Sequence, residues 1–297
     1  MAQDQYTFQD PVKRYPSIEP PEQDQPEPGL DKELVPHTDR GEDTYRGTGR
    51  LEGRKALITG SDSGIGAAVA IAFAREGADV AMSYLPEEEE DAKVVAELIE
   101  KEGRKVVQLP GDLTASATCR DVVQRAADGL GGLDILVNNA GRQIAVKKLE
   151  DLSDEQFDRT FKTNIYAFFW ITKAALAHMQ AGSAIINTAS EQAYDPSPSL
   201  MAYAATKGAM VNFTKNLSQQ VLERGIRVNA VAPGPIWTPL IPATMPPEKV
   251  KSFGAQAPIG RAAQPAELAP AYVFLASQEA SYIAGETIAV TGGVPLA

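Results

Sequence analysis

Cysteine, histidine and positive charge are scarce in this chain of 297 residues. It has one cysteine, Cys119, and two histidines, His37 and His178, and its 28 basic residues are outnumbered by 39 acidic ones. A lone cysteine excludes a disulfide framework within the chain, and these three residues have no spacing typical of a zinc site. A net charge of −11 without a clustered basic face disfavours binding to nucleic acid. We therefore expect no metal site and no nucleic-acid partner.

Long apolar runs are missing as well, since nowhere do about 18 consecutive apolar residues occur. The amino terminus also lacks the positive charge and apolar stretch of a signal peptide. These absences lead us to expect a cytoplasmic protein with no attachment to a membrane. An apolar fraction of 43% is still enough to form a sizeable core.

Residues 1–50 are rich in proline, acidic residues and glutamine and show no apolar periodicity. Such a mixture cannot bury enough surface to offset the entropy of an ordered chain. We therefore predict a proline-rich N-terminal arm over residues 1–50 and one domain over residues 51–297. The arm is either a loose tail or a segment that packs on a neighbouring subunit. Four apolar side chains are available for such packing: Tyr6, Phe8, Tyr15 and Ile18.

From Arg54 onwards, short apolar runs alternate with stretches of helical periodicity. The predicted strands are residues 56–58, 79–83, 106–109, 134–137, 184–187, 228–231 and 287–290. This alternation is typical of a parallel sheet, and the lack of polar alternation within the strands indicates burial on both faces. The sequence therefore predicts a single α/β domain, with a doubly wound parallel sheet of about seven strands flanked by helices. In such sheets, ligands bind at the carboxyl ends of the strands.

A glycine-rich turn follows the first predicted strand and reads Thr59-Gly60-Ser61-Asp62-Ser63-Gly64-Ile65-Gly66. Glycines let the backbone turn sharply and approach a diphosphate, which the positive end of the next helix then attracts. The same turn could join a strand to a helix without binding a ligand. A kinase-type phosphate loop is excluded because no Gly-Lys-Ser or Gly-Lys-Thr follows, so a dinucleotide is the predicted ligand.

Polar residues also follow the third and fourth predicted strands. Asp112-Leu113 and Asn138-Asn139-Ala140-Gly141 fall where the adenine and ribose of a dinucleotide would pass. Taken singly, Asp112 is more typical of a helix N-cap or a loop than of a binding site, and the two asparagines could simply satisfy the backbone of a loop. Their joint position favours binding.

At this point the motifs resemble those of the short-chain dehydrogenase/reductase family, over residues 51–297. The glycine-rich turn is similar to the family's Thr-Gly-x-x-x-Gly-x-Gly, and residues 138–141 are similar to its Asn-Asn-Ala-Gly segment. Asn164, Ser190 and the pair Tyr203 and Lys207 resemble its catalytic set. The proline-rich extension further resembles the glucose/ribitol dehydrogenase-like subgroup.

The resemblance implies a Rossmann-type fold, a homotetramer, and an NAD(P)-dependent oxidoreductase that interconverts an alcohol and a ketone or aldehyde. It also implies a set of cofactor contacts, some of them in the turn that holds the nicotinamide. These are Gly60, Asp62, Ser63, Gly64, Ile65, Gly66, Tyr84, Asp112, Leu113, Asn139, Ala140, Gly141, Thr188, Tyr203, Lys207, Pro233, Gly234, Ile236 and Thr238.

Of the nine tyrosines, Tyr203 alone has a lysine four residues later, which is one helical turn. A cation at about 4 Å, in an effective dielectric of ~20, would lower the pKa of the phenol from ~10 to near 7. Tyr203 would then act as general acid or base while a hydride moves. Ser190 would donate a hydrogen bond to the same substrate oxygen, and Asn164 would hold a water behind Lys207.

The choice between NAD and NADP usually depends on the residue that closes the second strand. The chain reads Met82-Ser83-Tyr84-Leu85 there, with no charge of either sign. Asp62, inside the glycine-rich turn and without an arginine beside it, would repel an extra phosphate. The sequence therefore slightly favours NAD over NADP.

Residues 233–261, called the flap below, combine apolar side chains with several prolines. We predict a mobile lid over the nicotinamide, and a surface helix packed on the sheet is an equal alternative. The predicted substrate pocket consists of Ser190, Gln192, Tyr194, Tyr203 and Trp237. Glu191 and Asp195 would disfavour a strongly anionic substrate if they face this pocket.

Two other functions are compatible with a dinucleotide-binding turn. One is a sensor or scaffold that binds the cofactor without turnover, which the complete set of Asn164, Ser190, Tyr203 and Lys207 disfavours. The other is an epimerase or dehydratase on a related fold. The glycine spacing and the short C-terminal region disfavour that alternative.

Overall fold

The computed structural model describes residues 4–18 and 20–296. Its seven strands form one parallel sheet in the order β3-β2-β1-β4-β5-β6-β7. The strands are β1 Lys55–Thr59, β2 Asp79–Tyr84, β3 Val106–Pro110, β4 Ile135–Asn138, β5 Ala184–Thr188, β6 Arg227–Pro233 and β7 Thr287–Val290. This confirms the predicted fold, and each predicted strand matches an observed one to within a few residues.

Helices connect the strands and cover both faces of the sheet. They are α1 Gly64–Arg75, α2 Glu89–Lys101, α3 Ser116–Leu130, α4 Asp154–Phe161, α5 Ala167–Ala175, α6 Met201–Val221, α7 Leu240–Thr244, α8 Pro247–Val250 and α9 Ala269–Ala276. One turn of π-helix, Lys162–Tyr166, joins α4 to α5. Within the described residues, no helix is both long and apolar enough to cross a membrane.

The two faces of the sheet build two separate cores. Ile58 lies on one face, in a cluster with residues of α1, α2 and α9. Its neighbour Leu57 points to the other face and packs with residues of α3, α5 and α6. Successive side chains of a strand alternate between faces, so a strand covered on both sides is apolar throughout. This is why the strands showed no polar alternation in the sequence.

The order of the strands determines where the candidate site lies. The chain winds outward from β1 through β2 to β3, then returns to β4 on the other side of β1. The loops after β1 and β4 therefore leave the sheet in opposite directions and open a crevice at the carboxyl ends of the strands. The glycine-rich turn and the Asn-Asn-Ala-Gly segment form the walls of this crevice.

The N-terminal segment, residues 1–50, packs on the chain's own domain where the structure describes it. Leu34 is fully buried beside Trp237 and Ile241. The buried Glu76, just after α1, accepts hydrogen bonds from Tyr45, from Thr48 and from Arg50. The two alternatives predicted for this segment were a loose tail and a contact with a neighbouring subunit. The sequence did not predict this packing because the contacts are mostly polar and leave no apolar period.

Candidate active site

A cavity of about 670 Å³ occupies the crevice at the carboxyl ends of the strands. Among the predicted cofactor contacts, all except Gly66 line it. The predicted residues on its wall are Gly60, Asp62, Ser63, Gly64, Ile65, Tyr84, Asp112, Leu113, Asn139, Ala140, Gly141, Thr188, Tyr203, Lys207, Pro233, Gly234, Ile236 and Thr238. Residues that are far apart in the chain therefore meet in one space, which has the volume of a ligand pocket.

The glycine-rich turn has the shape of a phosphate cradle. Gly60 adopts a φ of +61°, and a Cβ atom on it would lie 3.0 Å from the Cα of Ala140. A Cβ atom on Gly66 would lie 1.8 Å from the carbonyl oxygen of Gly60. Gly66 thus packs under the turn instead of facing the pocket, which corrects its predicted role as a contact. The backbone here leaves a space that fits a diphosphate.

Asn139 holds the turn in this shape. Its side-chain amide donates to the carbonyl oxygens of Thr59 and Gly60, at 3.1 and 2.8 Å. In return, the hydroxyl of Thr59 accepts the backbone N–H groups of Asn139 and Ala140, both at 3.0 Å. This reciprocal clamp ties the loops after β1 and β4 together, so the cradle is formed in advance of any ligand.

A pair of buried acids lies beside the cradle. Asp62 is 1% exposed and Glu88 is 9% exposed, and both line the cavity. Burial raises the pKa of Asp62, and Asp91 adds to the rise. Burial also raises the pKa of Glu88, and the charge of Asp62 raises it further. Near neutral pH the two carboxyl groups therefore share a proton and carry about one negative charge between them.

Tyr203 and Lys207 lie one turn apart on α6 and face the same cavity. The ammonium of Lys207 lies 5.4 Å from the centre of the Tyr203 ring, and it donates to the carbonyl oxygen of Thr188 at 2.6 Å. Burial raises the pKa of Tyr203 to about 12, although a hydrogen bond with Ser190 opposes the rise. Burial lowers the pKa of Lys207 to about 8.

The expected phenol pKa near 7 is therefore wrong for the protein by itself. The ammonium of Lys207 faces the ring of Tyr203, and burial of the phenol dominates. The hydroxyl of Tyr203 consequently keeps its proton at neutral pH. Ser190 accepts the backbone N–H of Gln192 at 3.1 Å, which leaves the hydroxyl proton of Ser190 available for donation.

Asn164 is fully buried and lies behind the cavity wall. It sits in the π-helical turn, a local widening that is frequent at functional sites. Its amide donates to the carbonyl oxygen of Arg142 at 2.8 Å and to the hydroxyl of Thr206 at 3.0 Å, and it accepts the N–H of Arg142 at 2.7 Å. A Cβ atom on Gly141 would be 3.8 Å from both the Asn164 oxygen and the Lys207 nitrogen, so both polar groups lie beside Gly141.

The predicted substrate residues divide into two groups. Ser190, Gln192 and Tyr203 line the cavity. Tyr194 instead packs against a cluster that contains Val211 of α6 and Ala230 of β6 and does not line the cavity, which corrects its predicted place. Trp237 is also misplaced by the sequence reading, because it is fully buried and its indole N–H donates to the carbonyl oxygen of Pro36 at 2.8 Å.

The sequence reading also missed residues of the cavity wall. Glu27 and Pro28 of the N-terminal segment line it, as do Arg142 and Gln143 after β4. Arg142 directly follows the Asn-Asn-Ala-Gly segment, so its position could have been noticed. No pattern in residues 1–50 could have identified Glu27, because its place depends on how that segment crosses the domain.

Comparison with known proteins finds similar chains among oxidoreductases. A family model described as enoyl-(acyl carrier protein) reductase matches residues 60–295. The uncharacterized oxidoreductase YghA of Escherichia coli is 54% identical over 287 residues, covering 96% of this chain and 98% of that protein. Glucose and ribitol dehydrogenase of Daucus carota is 43% identical, with 92% and 96% covered. The chloroplastic NADPH-dependent aldehyde reductase 1 of Arabidopsis thaliana is 46% identical, with 84% and 88% covered.

Solved structures of the same fold are similar to this chain as well. A short-chain dehydrogenase from Burkholderia cenocepacia in complex with NADP superposes with a TM-score of 0.77 at 35% identity. The match covers 82% of this chain and 98% of that one.

Proposed function

Because this chain belongs to the short-chain dehydrogenase/reductase family and is an NAD(P)-dependent oxidoreductase, we propose that it reduces an uncharged aldehyde or ketone to an alcohol, with Tyr203 as general acid. The observation that carries this proposal is that Ser190, Tyr203 and Lys207 meet in the same cavity as the glycine-rich cradle. A neutral phenol is the protonation state that a carbonyl reduction needs at its start.

The proposed roles follow from the contacts. Tyr203 gives its proton to the carbonyl oxygen, and Ser190 donates a hydrogen bond to the same oxygen as negative charge develops there. When bound, the reduced nicotinamide supplies the hydride that adds to the carbonyl carbon. Lys207 has a pKa lowered to about 8 by burial, so it can return a proton to Tyr203 after the transfer.

The protein would hold the cofactor along the whole cavity. The backbone of the cradle, from Gly60 to Ile65, receives the diphosphate. Lys207 has donors for the ribose of the nicotinamide half, and the turn from Pro233 to Thr238 contacts the nicotinamide. Asn164 acts from behind the wall, as a positioning residue for the loop that carries Gly141.

We also propose a preference for NAD over NADP. Asp62 and Glu88 carry about one negative charge beside the cradle, and no lysine or arginine is found among the wall residues that follow β1, β2 and β3. A 2′-phosphate there would face an acid without a cation to offset it. The Arabidopsis relative is named for NADPH, and the Burkholderia structure is a complex with NADP. The proposed preference of this chain for NAD therefore rests on Asp62 and Glu88 alone.

The relatives' names support an aldehyde or a polyol as the substrate pair of this chain. Gln192 is placed to contact a hydroxyl of such a compound. Its side-chain oxygen accepts the N–H of Ser197 at 2.7 Å, so its amide hydrogens remain available for the cavity. Half-buried Glu191 adds an acid to the same wall, which fits an uncharged substrate better than an anionic one.

A homotetramer is the assembly that we propose. Three of the six exposed aromatic side chains in the described residues lie on α4, α5 and the turn between them, namely Phe157, Tyr166 and Phe169. Apolar side chains grouped on neighbouring helices are typical of a surface that is covered by another subunit. Light scattering of the purified protein measures the mass of the particle and tests this assembly.

Replacing Tyr203 by phenylalanine tests the catalytic proposal. The Tyr203→Phe variant loses the transferable proton, so turnover of an aldehyde should fall about 100-fold or more. Binding of the reduced cofactor, followed by its fluorescence, should change little because the ring and its packing remain. Tyr194→Phe is the matched control, since that tyrosine lies outside the cavity.

Turnover by Tyr203→Phe at the rate of the unaltered protein would refute the role of the phenol. Tight cofactor binding by the unaltered protein, without turnover of any aldehyde, ketone or polyol, would favour a sensor or scaffold instead.

A further inference from the structure

The N-terminal segment reaches the substrate end of the cavity by crossing the flap. Gln25 donates its backbone N–H to the carbonyl oxygen of Pro242 at 3.2 Å. Leu34 is buried with Trp237 and Val250 of the flap. These contacts hold residues 25–36 against the flap, so the segment becomes part of the cavity wall.

Glu27 is the charged residue that this segment brings into the cavity. Its two carboxylate oxygens accept hydrogen bonds from the Nε and Nη2 atoms of Arg142, each at 2.8 Å. The remaining terminal nitrogen of Arg142 donates to the hydroxyl of Thr160 at 3.0 Å. The side chain of Arg142 is 12% exposed and that of Glu27 is 31% exposed, so the pair is partly shielded from water.

Arg142 lies next to the residues that we assign to catalysis. Its backbone N–H and carbonyl oxygen form the reciprocal hydrogen bonds with Asn164, and the preceding Gly141 faces Lys207. A guanidinium at this place can bind a carboxylate or phosphate with two parallel hydrogen bonds. In this structure the carboxylate of Glu27 occupies that fork.

No other cationic side chain of this wall is as well placed as Arg142 to bind an anionic group of a substrate. Arg159 and Lys249 also line the cavity, but both are exposed, and salt screens exposed charges at the rim. Lys207 is buried and already donates to Thr188. Glu191 lines the cavity as an additional acid. Arg142 is therefore the shielded guanidinium that could receive an anionic group of a substrate, and Glu27 neutralises it.

We propose that Glu27 is a specificity residue, which occupies Arg142 and thereby excludes aldehydes and ketones that carry a carboxylate or phosphate. This inference rests on the proposed carbonyl reduction. An anionic substrate would have to displace a bidentate partner that is attached to the same chain, whereas an uncharged substrate needs no such exchange. The N-terminal segment then takes part in substrate choice and is more than a structural extension.

A matched pair of substrates tests this proposal. Butanal and 4-oxobutanoate have the same number of carbon atoms and differ by a terminal carboxylate. The unaltered protein should have the higher kcat/KM for butanal. In Glu27→Gln the ratio of kcat/KM for 4-oxobutanoate to that for butanal should rise about tenfold, since a charge-assisted pair becomes available. Glu33→Gln, an exposed acid on the same segment, should leave the ratio unchanged.

The double variant Glu27→Gln/Arg142→Gln should return the ratio to that of the unaltered protein, because the uncovered guanidinium is gone. A purely structural role of Glu27 would lower both kcat/KM values together and leave their ratio constant. That result would overturn the proposal.

A binding measurement separates this inference from the proposed reaction. Calorimetric titration with butanoate, in the presence of saturating NAD or NADP, needs no turnover. Glu27→Gln should bind butanoate about tenfold more tightly than the unaltered protein does. Equal binding by both proteins would refute the role of Glu27, even if neither aldehyde is reduced. Reduction of neither aldehyde by the unaltered protein would count against the proposed function alone.

Discussion

The two ends of helix α1 hold buried acids in opposite electrostatic situations. Glu76 follows its last residue, and the hydroxyl of Tyr45, the N–H groups of Thr48 and Arg50, and the guanidinium of Arg50 all donate to its carboxylate. Burial would raise the pKa of Glu76, but these donors outweigh burial and lower it to about 2. Asp62 precedes the same helix and shares a proton with another acid, Glu88.

From this difference we infer that Glu76 stabilises the fold and that Asp62 belongs to the proposed ligand site. Donors that satisfy a buried carboxylate make it an anchor, and Glu76 attaches the N-terminal segment to the domain. Two buried acids in contact cost stability near neutral pH, so a protein retains them where binding benefits. We propose the cradle end of α1, which lines the cavity, as such a place.

Loss of the anchored charge should have the largest effect. In Glu76→Gln an amide nitrogen would face donors that need an acceptor, and breaking a buried pair in this way costs about 3–5 kcal/mol. Urea unfolding measures this loss. The control Glu52→Gln changes an acid with a 71% exposed side chain, and its effect should stay below about 0.5 kcal/mol. A loss under about 1 kcal/mol for Glu76→Gln would contradict the inference that Glu76 attaches the N-terminal segment to the domain.

The acid pair should have an effect that depends on pH, and the change per pH unit should be smaller than the loss in Glu76→Gln. Glu88 has a folded pKa raised to about 9, so the folded protein retains a proton that the unfolded chain releases above the ordinary glutamate pKa of 4.5. The stability from this proton is full at acidic pH and is lost as the pH rises towards 9, by at most about 1.4 kcal/mol per pH unit. Glu88→Gln should flatten this decline.

Unfolding in urea at several pH values between 5 and 9 checks the prediction for Glu88, with exposed Glu87→Gln as its control. A steeper decline in Glu88→Gln than in the unaltered protein would contradict the shared proton. The pH dependence of Glu76 has the opposite sign, since its stabilisation is present at neutral pH and is lost only as the pH falls towards 2.

Cofactor choice should show the smallest effect. Replacing both acids, as Asp62→Asn/Glu88→Gln, removes the negative charge of the pair, so the ratio of the Kd for NADPH to that for NADH should fall about three- to tenfold, or about 1 kcal/mol. Fluorescence titration of the two reduced cofactors gives both constants, and Glu97→Gln, an exposed acid on α2 outside the cavity, serves as the control. If the ratio stays constant, the two acids do not discriminate against the phosphate.

Much of the fold was predictable because strands and helices differ in apolar period. Residues 79–83 were predicted as a strand and form β2 with one residue added. The N-terminal segment was not predictable in this way. Its contacts, such as Arg50 with Glu76, join residues 26 positions apart through polar groups, and such pairs leave no period in the sequence.

The candidate site divides in the same way. The tyrosine and lysine at helical spacing were identified correctly as neighbours, because one turn of α6 brings them together without any help from the rest of the fold. Trp237 was expected in the substrate pocket, but it lies outside the cavity. Its indole N–H donates to the carbonyl oxygen of Pro36, and its ring packs with Leu34. The pKa of Tyr203 could not be obtained from spacing, since burial from all directions determines it.

The sequence by itself determined the parallel α/β architecture, the tight glycine-rich turn after β1 and the helical spacing of Tyr203 and Lys207, since each depends on local spacing and backbone freedom. The tertiary structure alone decided that Glu27 meets Arg142, that two acids share a proton beside the cradle, and that Tyr203 keeps its proton. These are effects of charge and desolvation between residues distant in the chain, and their energies depend on three-dimensional distance and burial.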